Sequence, residues 1–344
     1  EGDPAKPKSL SVLDRPVVFD LKVKPKTTYL VEIMNATADS KQLTGQSRIE
    51  VSITAPAKNK YLPFTGRLPI SSKLTRRRMA FRTDKETQVT ISWRVIAPTT
   101  QGEGRQARTS YDKPKDSPMP MLLGDVVVAA MKFQSRNFLL NRDAGKMGAR
   151  KGPLPRGEIK CDVVPWRGGV SYIRWQPWDA PKSAFRVTDG FIGNQETKWQ
   201  ETRDVSTGSA VKMANAYVTF RKPELINAIT IYEDNRGPVV SGKGVKEMTS
   251  AHYGVYIHEV ETNKTRRVGY VAGNSNLVNV FTFPAVKIDK IHYFHAGRPY
   301  VGMTDGMVRM AEFEAYSTEE AELDMDDAEL EEIEGDGLDL ELPE

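Results

Sequence analysis

Between Arg15 and Pro98 the apolar residues fall at alternate positions in short runs. "PVVFDLKV", "TTYLVEIM", "SRIEVSITA", "MAFRTD" and "TQVTISWRV" are rich in Val, Ile, Thr and aromatics, with Pro, Gly, Asn, Asp and Lys between them. Period-two alternation buries one face of a strand. Short strands separated by turn residues predict an antiparallel β-sandwich over residues 15–98. No helical period of useful length competes with it.

A second series begins further on. "AYVTF", "INAITIYED", "YGVYIHEVE", "TRRVGYVAG", "VNVFTF", "IDKIHYFHAG" and "VRMAEFEAYS" are successive strand candidates joined by turn residues, again a sandwich or barrel pattern. "APTTQGEGRQARTSYDKPKDSPMP" is dense in Pro, Gly and charge, which predicts a linker over 99–121. The expected organisation is an N-terminal extension (1–14), a sandwich (15–98), the linker, a second sandwich (122–318, core 166–317) and a tail (319–344). Residues 122–160 carry no signal that assigns them to the first or the second sandwich. The layout from "KPKTTYLVEI" to "KETQVTISWRV" resembles small jelly-roll domains appended to secreted bacterial proteins.

Charge changes the picture. Residues 319–344 hold fourteen acidic side chains and no Lys or Arg, so a net +4 conceals a body of +18. Such a body favours an anionic partner: nucleic acid, acidic polysaccharide, an anionic surface or the chain's own tail. "KLTRRRMAFR", Lys73 to Arg82, is the densest basic run. Nucleic-acid binding would interleave aromatics with it and bring a recognised motif; neither is present. A sheet edge protected by charge is the reading it fits. No apolar run reaches the ~18 residues that span a bilayer. The polar, Pro-containing start reads as a mature terminus, so a secreted or cell-surface location with the signal peptide removed is expected. Cys161, the only cysteine, excludes an internal disulfide and a Cys-rich zinc site, and reads as a buried small residue.

"FRVTDGFIGNQETKWQE" holds an Asp-Gly pair, then a threonine and a tryptophan. It precedes the second strand series, which "MAEFEAY" closes. This order, with "VTF" followed by "LINAITI" between, resembles the discoidin family: galactose-binding-like sandwiches that include coagulation-factor C-type domains and many carbohydrate-binding modules. The resemblance covers roughly Trp166 to Ser317. It implies a structural Ca²⁺ where the entry loop meets the last strand, with Asp189, Thr197 and Glu312 supplying oxygens beside carbonyls near Phe185 and Ala311. Hard oxygen ligands of this kind suit Ca²⁺. "FIGNQE" makes the loop longer than the family's, so Asn194 or Glu196 could join the ion or displace it. An ion-free Asx-turn is the alternative. The resemblance also implies glycan contacts from loops at one end of the sandwich, for which Asn235, Arg236, His252, Tyr253 and Asn274 are candidates. Trp199 reads as core. Trp166, Trp175 and Trp178 read as buried beside a strand, or as a stacking surface for sugar rings.

The remaining chemistry is sparse. His292 and His295 straddle a strand and face opposite ways, which is poor for a shared metal. There is no nucleophile elbow, P-loop or dinucleotide fingerprint. The expected function is non-catalytic: an extracellular adhesion or scaffold protein that binds a glycan or surface polysaccharide. The alternative is a structural subunit that assembles with neighbouring chains through its acidic tail. Leu323, Leu330 and Ile333 could share a helical face there, and Leu338, Leu340 and Leu342 alternate as in a strand.

Overall fold

The computed structural model describes residues 11–13, 16–37, 47–57, 61–70, 73–102, 108–116, 121–131, 137–140, 157–165, 188, 190, 192, 199–201, 211–233, 239–241, 244–246, 252–296 and 308–317. Among them every regular element is a strand.

The N-terminal sandwich has two sheets. In one, β1 (Ser11–Leu13), β9 (Met121–Ala130), β3 (Thr28–Thr37) and β6 (Thr75–Arg82) lie in that order. In the other the order is β2 (Val17–Lys22), β7 (Gln88–Gln101), β4 (Arg48–Thr54) and β5 (Phe64–Pro69), with β8 (Arg108–Asp116) also paired to β7. The alternating apolar positions meet between them: Val31, Ile33, Ile49, Val51, Ile53, Met79, Phe81, Val89 and Ile91 form one core. Each such side chain contributes ~1.5–3 kcal/mol of burial.

The stretch expected as a linker is largely strand. β7 runs on to Gln101, and β8 folds back against it with Thr99 opposite Ser110. β9 lies against β3 with Val31 opposite Val128, so residues 121–130 complete the first sandwich. Polar and Pro-rich composition misleads here because an edge strand such as β8 needs few apolar residues.

The second sandwich is a single sheet folded over on itself. Its order is β11 (Trp199–Glu201), β18 (Val308–Tyr316), β12 (Val211–Glu233), β17 (Val278–Ala296), β15 (His252–Glu259) and β16 (Lys264–Ala272), with β10 (Gly157–Pro165) also on β12, while β13 (Val239–Ser241) and β14 (Gly244–Lys246) pair separately. "AYVTF" and "INAITIYED" are one strand, β12; "VNVFTF" and "IDKIHYFHAG" are one strand, β17. Their pairing shifts register between Thr219 and Glu224, and again between Ile226 and Ala228. Pro223 and Pro284, which read as punctuation in the sequence, fall in these irregular stretches. Bulges tolerate a residue without an N–H. The first part of β12 pairs with β10 and its last part with β18, which carries the strand from one layer to the other. Val218, Ile229, Ile231, Tyr253, Val255, Ile257, Ile291, Tyr293 and Phe313 fill the enclosed core.

A third cluster joins the two sandwiches: Leu30, Ala80 and Met131 pack with Ala228, Tyr232, Val278, Ala311 and Tyr316. β6, the basic run, is the terminal strand of its sheet, as its charges suggest. Its outer edge is covered. Leu277 N–H donates to the Arg78 carbonyl at 2.7 Å, and Arg78 N–H donates to Asn276 Oδ1 at 3.0 Å. Glu32 on the adjacent strand accepts from Arg78 at 2.9 Å.

Candidate functional site

The entry turn and the last strand do meet. Gly190 adopts φ +81°, in the left-handed region that glycine enters without penalty. Its N–H donates to Glu312 Oε1 at 2.9 Å, and Glu312 is wholly buried. Asp189, Thr197, Asn194, Glu196 and Phe185 lie outside the described residues. The Gly190 carbonyl faces the other sandwich, where Arg82 Nη1–H donates to it at 2.7 Å. Arg82 also donates to Glu314 Oε1 at 2.9 Å and to Thr28 Oγ1 at 2.9 Å. Burial works against the charge of this guanidinium, but the Glu314 carboxylate prevails and holds its pKa well above the usual value. Of the side chains expected to hold a Ca²⁺, Glu312 alone is described, and the hydrogen bonds of Arg82 go to Glu314, Thr28 and the Gly190 carbonyl.

Of the candidate ligand residues, His252, Tyr253 and Asn274 are described: they lie where β15 begins and β16 ends, and Tyr253 and Asn274 are buried. Asn235 and Arg236 lie outside the described residues. Tyr253 is no loop residue: it sits inside β15, 1% exposed, with its ring 4.9 Å from that of Tyr293. Burial raises its hydroxyl pKa well above the ordinary value. Asn274 is buried too. Its Nδ2 donates to Glu233 Oε1 at 3.1 Å, and its Oδ1 accepts from Asn276 N–H at 3.1 Å and Asn279 Nδ2 at 3.2 Å. It shapes the loop that covers β6. His252 is half-buried at the start of β15, with Nδ1 accepting from Gly273 N–H at 3.3 Å. Trp166, Trp175 and Trp178 lie outside the described residues, and only the backbone is described for Trp199 and Cys161.

A surface that the sequence reading passed over is more coherent. Since Ala216, Val218, Val255, Ile257, Ile291 and Tyr293 point into the core, their neighbours point outward. The register sets these neighbours in rows across β12, β17, β15 and β16. Tyr217 stands opposite His292, His292 opposite Tyr256, and Tyr256 opposite Arg267. The next row is Asn215, Phe294, Gly254 and Tyr270. The rings of Tyr217 and His292 stack at 4.3 Å with 12° between planes. Tyr256 and Phe294 lie 5.9 and 6.0 Å from His292. Tyr256 lies flat because Gly254 has no side chain: a Cβ there would stand 2.8 Å from its ring. Arg267 lies over Tyr270 at 5.2 Å. His292 Nε2–H donates to Asn215 Oδ1 at 2.8 Å. Partial burial lowers the His292 pKa, so the ring is neutral at pH 7. Tyr217 and Tyr270 are 37% and 58% exposed. Exposed Lys290 stands beside His258 in the adjoining row, and His258 Nδ1 lies 2.7 Å from Asp289. The arrangement gathers aromatic rings beside the cationic Arg267 and Lys290, with one face of Tyr217 covered by His292. The available signal was the alternation itself, once the aromatics on the solvent phase of "AYVTF", "HYGVYIHE", "RVGYVA" and "KIHYFH" are set side by side.

No family model matches this chain, and no curated protein matches it. Solved structures do. A family 32 carbohydrate-binding module from Clostridium perfringens, in complex with GalNAc-β-1,3-galactose, is 13% identical with a TM-score of 0.30, over 46% of this chain and 95% of its own. Chitosan-binding module 1 of a chitosanase/glucanase from Paenibacillus is 15% identical with a TM-score of 0.30, over 53% of this chain and 100% of its own. A family 32 module from Streptococcus pneumoniae is 11% identical with a TM-score of 0.30, over 53% of this chain and 99% of its own.

Proposed function

We propose that this chain is a non-catalytic glycan-binding protein of an extracellular or cell-surface setting, acting in adhesion or as a scaffold. The observation that carries the reading is the stacked Tyr217–His292 pair at 4.3 Å, set among Tyr256, Phe294 and Tyr270 on one outward sheet face. Flat rings match the C–H faces of pyranoses. Adjacent strands repeat every ~4.8 Å, close to the length of one sugar residue, so a glycan running across the strands would follow the row Tyr217, His292, Tyr256 and Arg267. Exposed Arg267 and Lys290 border the rings and offer hydrogen bonds to hydroxyls. Affinity of one such face is expected near millimolar, about −4 kcal/mol, and adhesion then depends on multivalency.

A glycan array with the full chain, followed by affinity electrophoresis on the polysaccharides retained, tests this. Tyr217→Ala and Tyr270→Ala remove exposed rings, so the fold should survive. Each should weaken retention about tenfold, equivalent to ~1.4 kcal/mol. Retention unchanged in both variants removes the site, and an array without any binding removes the function.

A further inference from the structure

Arginine in this chain repeatedly stands against a carboxylate. Arg67 and Arg94 flank Glu50, Arg78 pairs with Glu32, Arg82 with Glu314 and Arg266 with Glu259. The ringed face differs. Arg267 and Lys290 are exposed there, and neither has an ion-pair partner among the described residues. The three rows across β12, β17, β15 and β16 contain no Asp or Glu. Asp289, next to Lys290 in sequence, is engaged by His258 Nδ1 at 2.7 Å. Glu158 and Asp162 on β10 stand by register opposite Thr219 and Asn215, at the far edge of the face from Arg267.

Register fixes how the two cations are spaced. Arg267 on β16 stands opposite Tyr256, and Lys290 on β17 stands opposite His258, so they flank β15 from either side. Two strand spacings separate them, ~10 Å across the sheet, which is the length of a disaccharide. The guanidinium carbon of Arg267 lies 5.2 Å from the centre of the Tyr270 ring. A guanidinium laid over a ring keeps its in-plane N–H groups for an acid group, which it can grip with two parallel bonds. A neutral glycan would use the rings and leave both charges to water. Building on the glycan-binding reading of this face, we propose that its ligand is an acidic polysaccharide with one carboxylate or sulfate per disaccharide. The sugar rings run past Tyr256 and Tyr270, and successive acid groups meet Arg267 and Lys290. One exposed ion pair is weak and screened by salt, so the repeat of the polymer supplies the avidity.

The test is affinity electrophoresis of the full chain in gels holding chondroitin, carboxyl-reduced chondroitin or chondroitin sulfate. The first two share a backbone and differ only in charge. Chondroitin or its sulfate should retain the chain about tenfold more strongly than the reduced polymer, the effect of two exposed ion pairs. Retention by chondroitin itself assigns the carboxylate, and retention by the sulfated polymer alone assigns the sulfate. Arg267→Gln and Lys290→Gln should each lower that retention about threefold to fivefold. Exposed Lys22, on the N-terminal sandwich, supplies the control: Lys22→Gln removes the same charge and should leave retention unchanged. Equal losses in all three variants would reduce the effect to net charge and overturn the proposal. Equal retention by chondroitin and its reduced form, or array binding confined to neutral glycans, overturns the acidic ligand and leaves the glycan-binding reading standing. An array blank for neutral and acidic glycans alike ends both.

Discussion

His295 is 1% exposed on β17, and burial, with His252 nearby, lowers its pKa to about 4. The unfolded chain takes up a proton on this ring as the pH falls through ~6.5, whereas the folded chain does not until about 4. Stability therefore rises with pH across that window and is fully present above it. Between neutral pH and pH 4 the loss should approach ~3 kcal/mol, and half-buried His292 adds to it in the same direction. Urea unfolding at pH 7 and pH 4.5 measures this. His295→Gln, which has no proton to gain, should show a smaller drop than the wild type; equal drops would assign the proton elsewhere. The opposed facing of His292 and His295 was legible from their spacing alone. Tyr253 was also legible in principle, since it alternates inward with Val255 and Ile257, but its place beside an expected turn suggested a loop. Asn274 was not legible. A buried amide and a solvated one look alike in sequence, and the approach of Glu233, from a strand forty-one residues earlier, distinguishes them.

At the scale of elements, pattern gave the strands and punctuation gave the errors. β2, β3, β4, β6, β15, β16 and β18 lie where alternation places them. β12 and β17 were each divided at a proline because Pro usually ends a strand, whereas here it marks the bend that folds the sheet. The aromatic face stayed hidden for a related reason. Its rings come from four strands, and their meeting depends on register, which no single strand encodes. The loop after β16 gives an element-scale prediction. Asn274→Ala removes the hydrogen bonds to Glu233, Asn276 and Asn279 and should cost ~1–3 kcal/mol. The edge of β6 should open with it, seen as faster exchange of the Arg78 and Leu277 amides. Glycan retention should not change, because Asn274 is buried away from the ringed face. A loss of retention at unchanged stability would return this residue to the ligand site and remove it from the loop.

At the scale of the whole molecule the charge division becomes mechanical. Residues 319–344, which lie outside the described part, carry fourteen acidic side chains against a body of +18. Part of that basic charge is already spoken for: Arg67 and Arg94 flank Glu50, Arg76 and Arg78 flank Glu32, and Arg82 is buried against Glu314. Among the described residues the exposed cations include Arg221, Lys264, Arg267 and Lys290 on the second sandwich. We propose that the tail docks on such cations, by preference on a neighbouring chain, which makes the protein an assembling subunit as well as a binder. The leucines of the tail are spaced as a helix face and then as a strand, a pattern a partner surface could read. Two of these cations, Arg267 and Lys290, belong to the ringed face, so tail and glycan would compete there. Deleting residues 319–344 should therefore convert oligomer to monomer at low salt and strengthen glycan retention. High salt should do the first without the deletion, because the Debye length falls to ~3 Å at 1 M. Sedimentation of both forms at low and high salt measures the association. A monomer with or without the tail, at every salt and at high concentration, would end the intermolecular reading. Retention that does not respond to the deletion would end the competition.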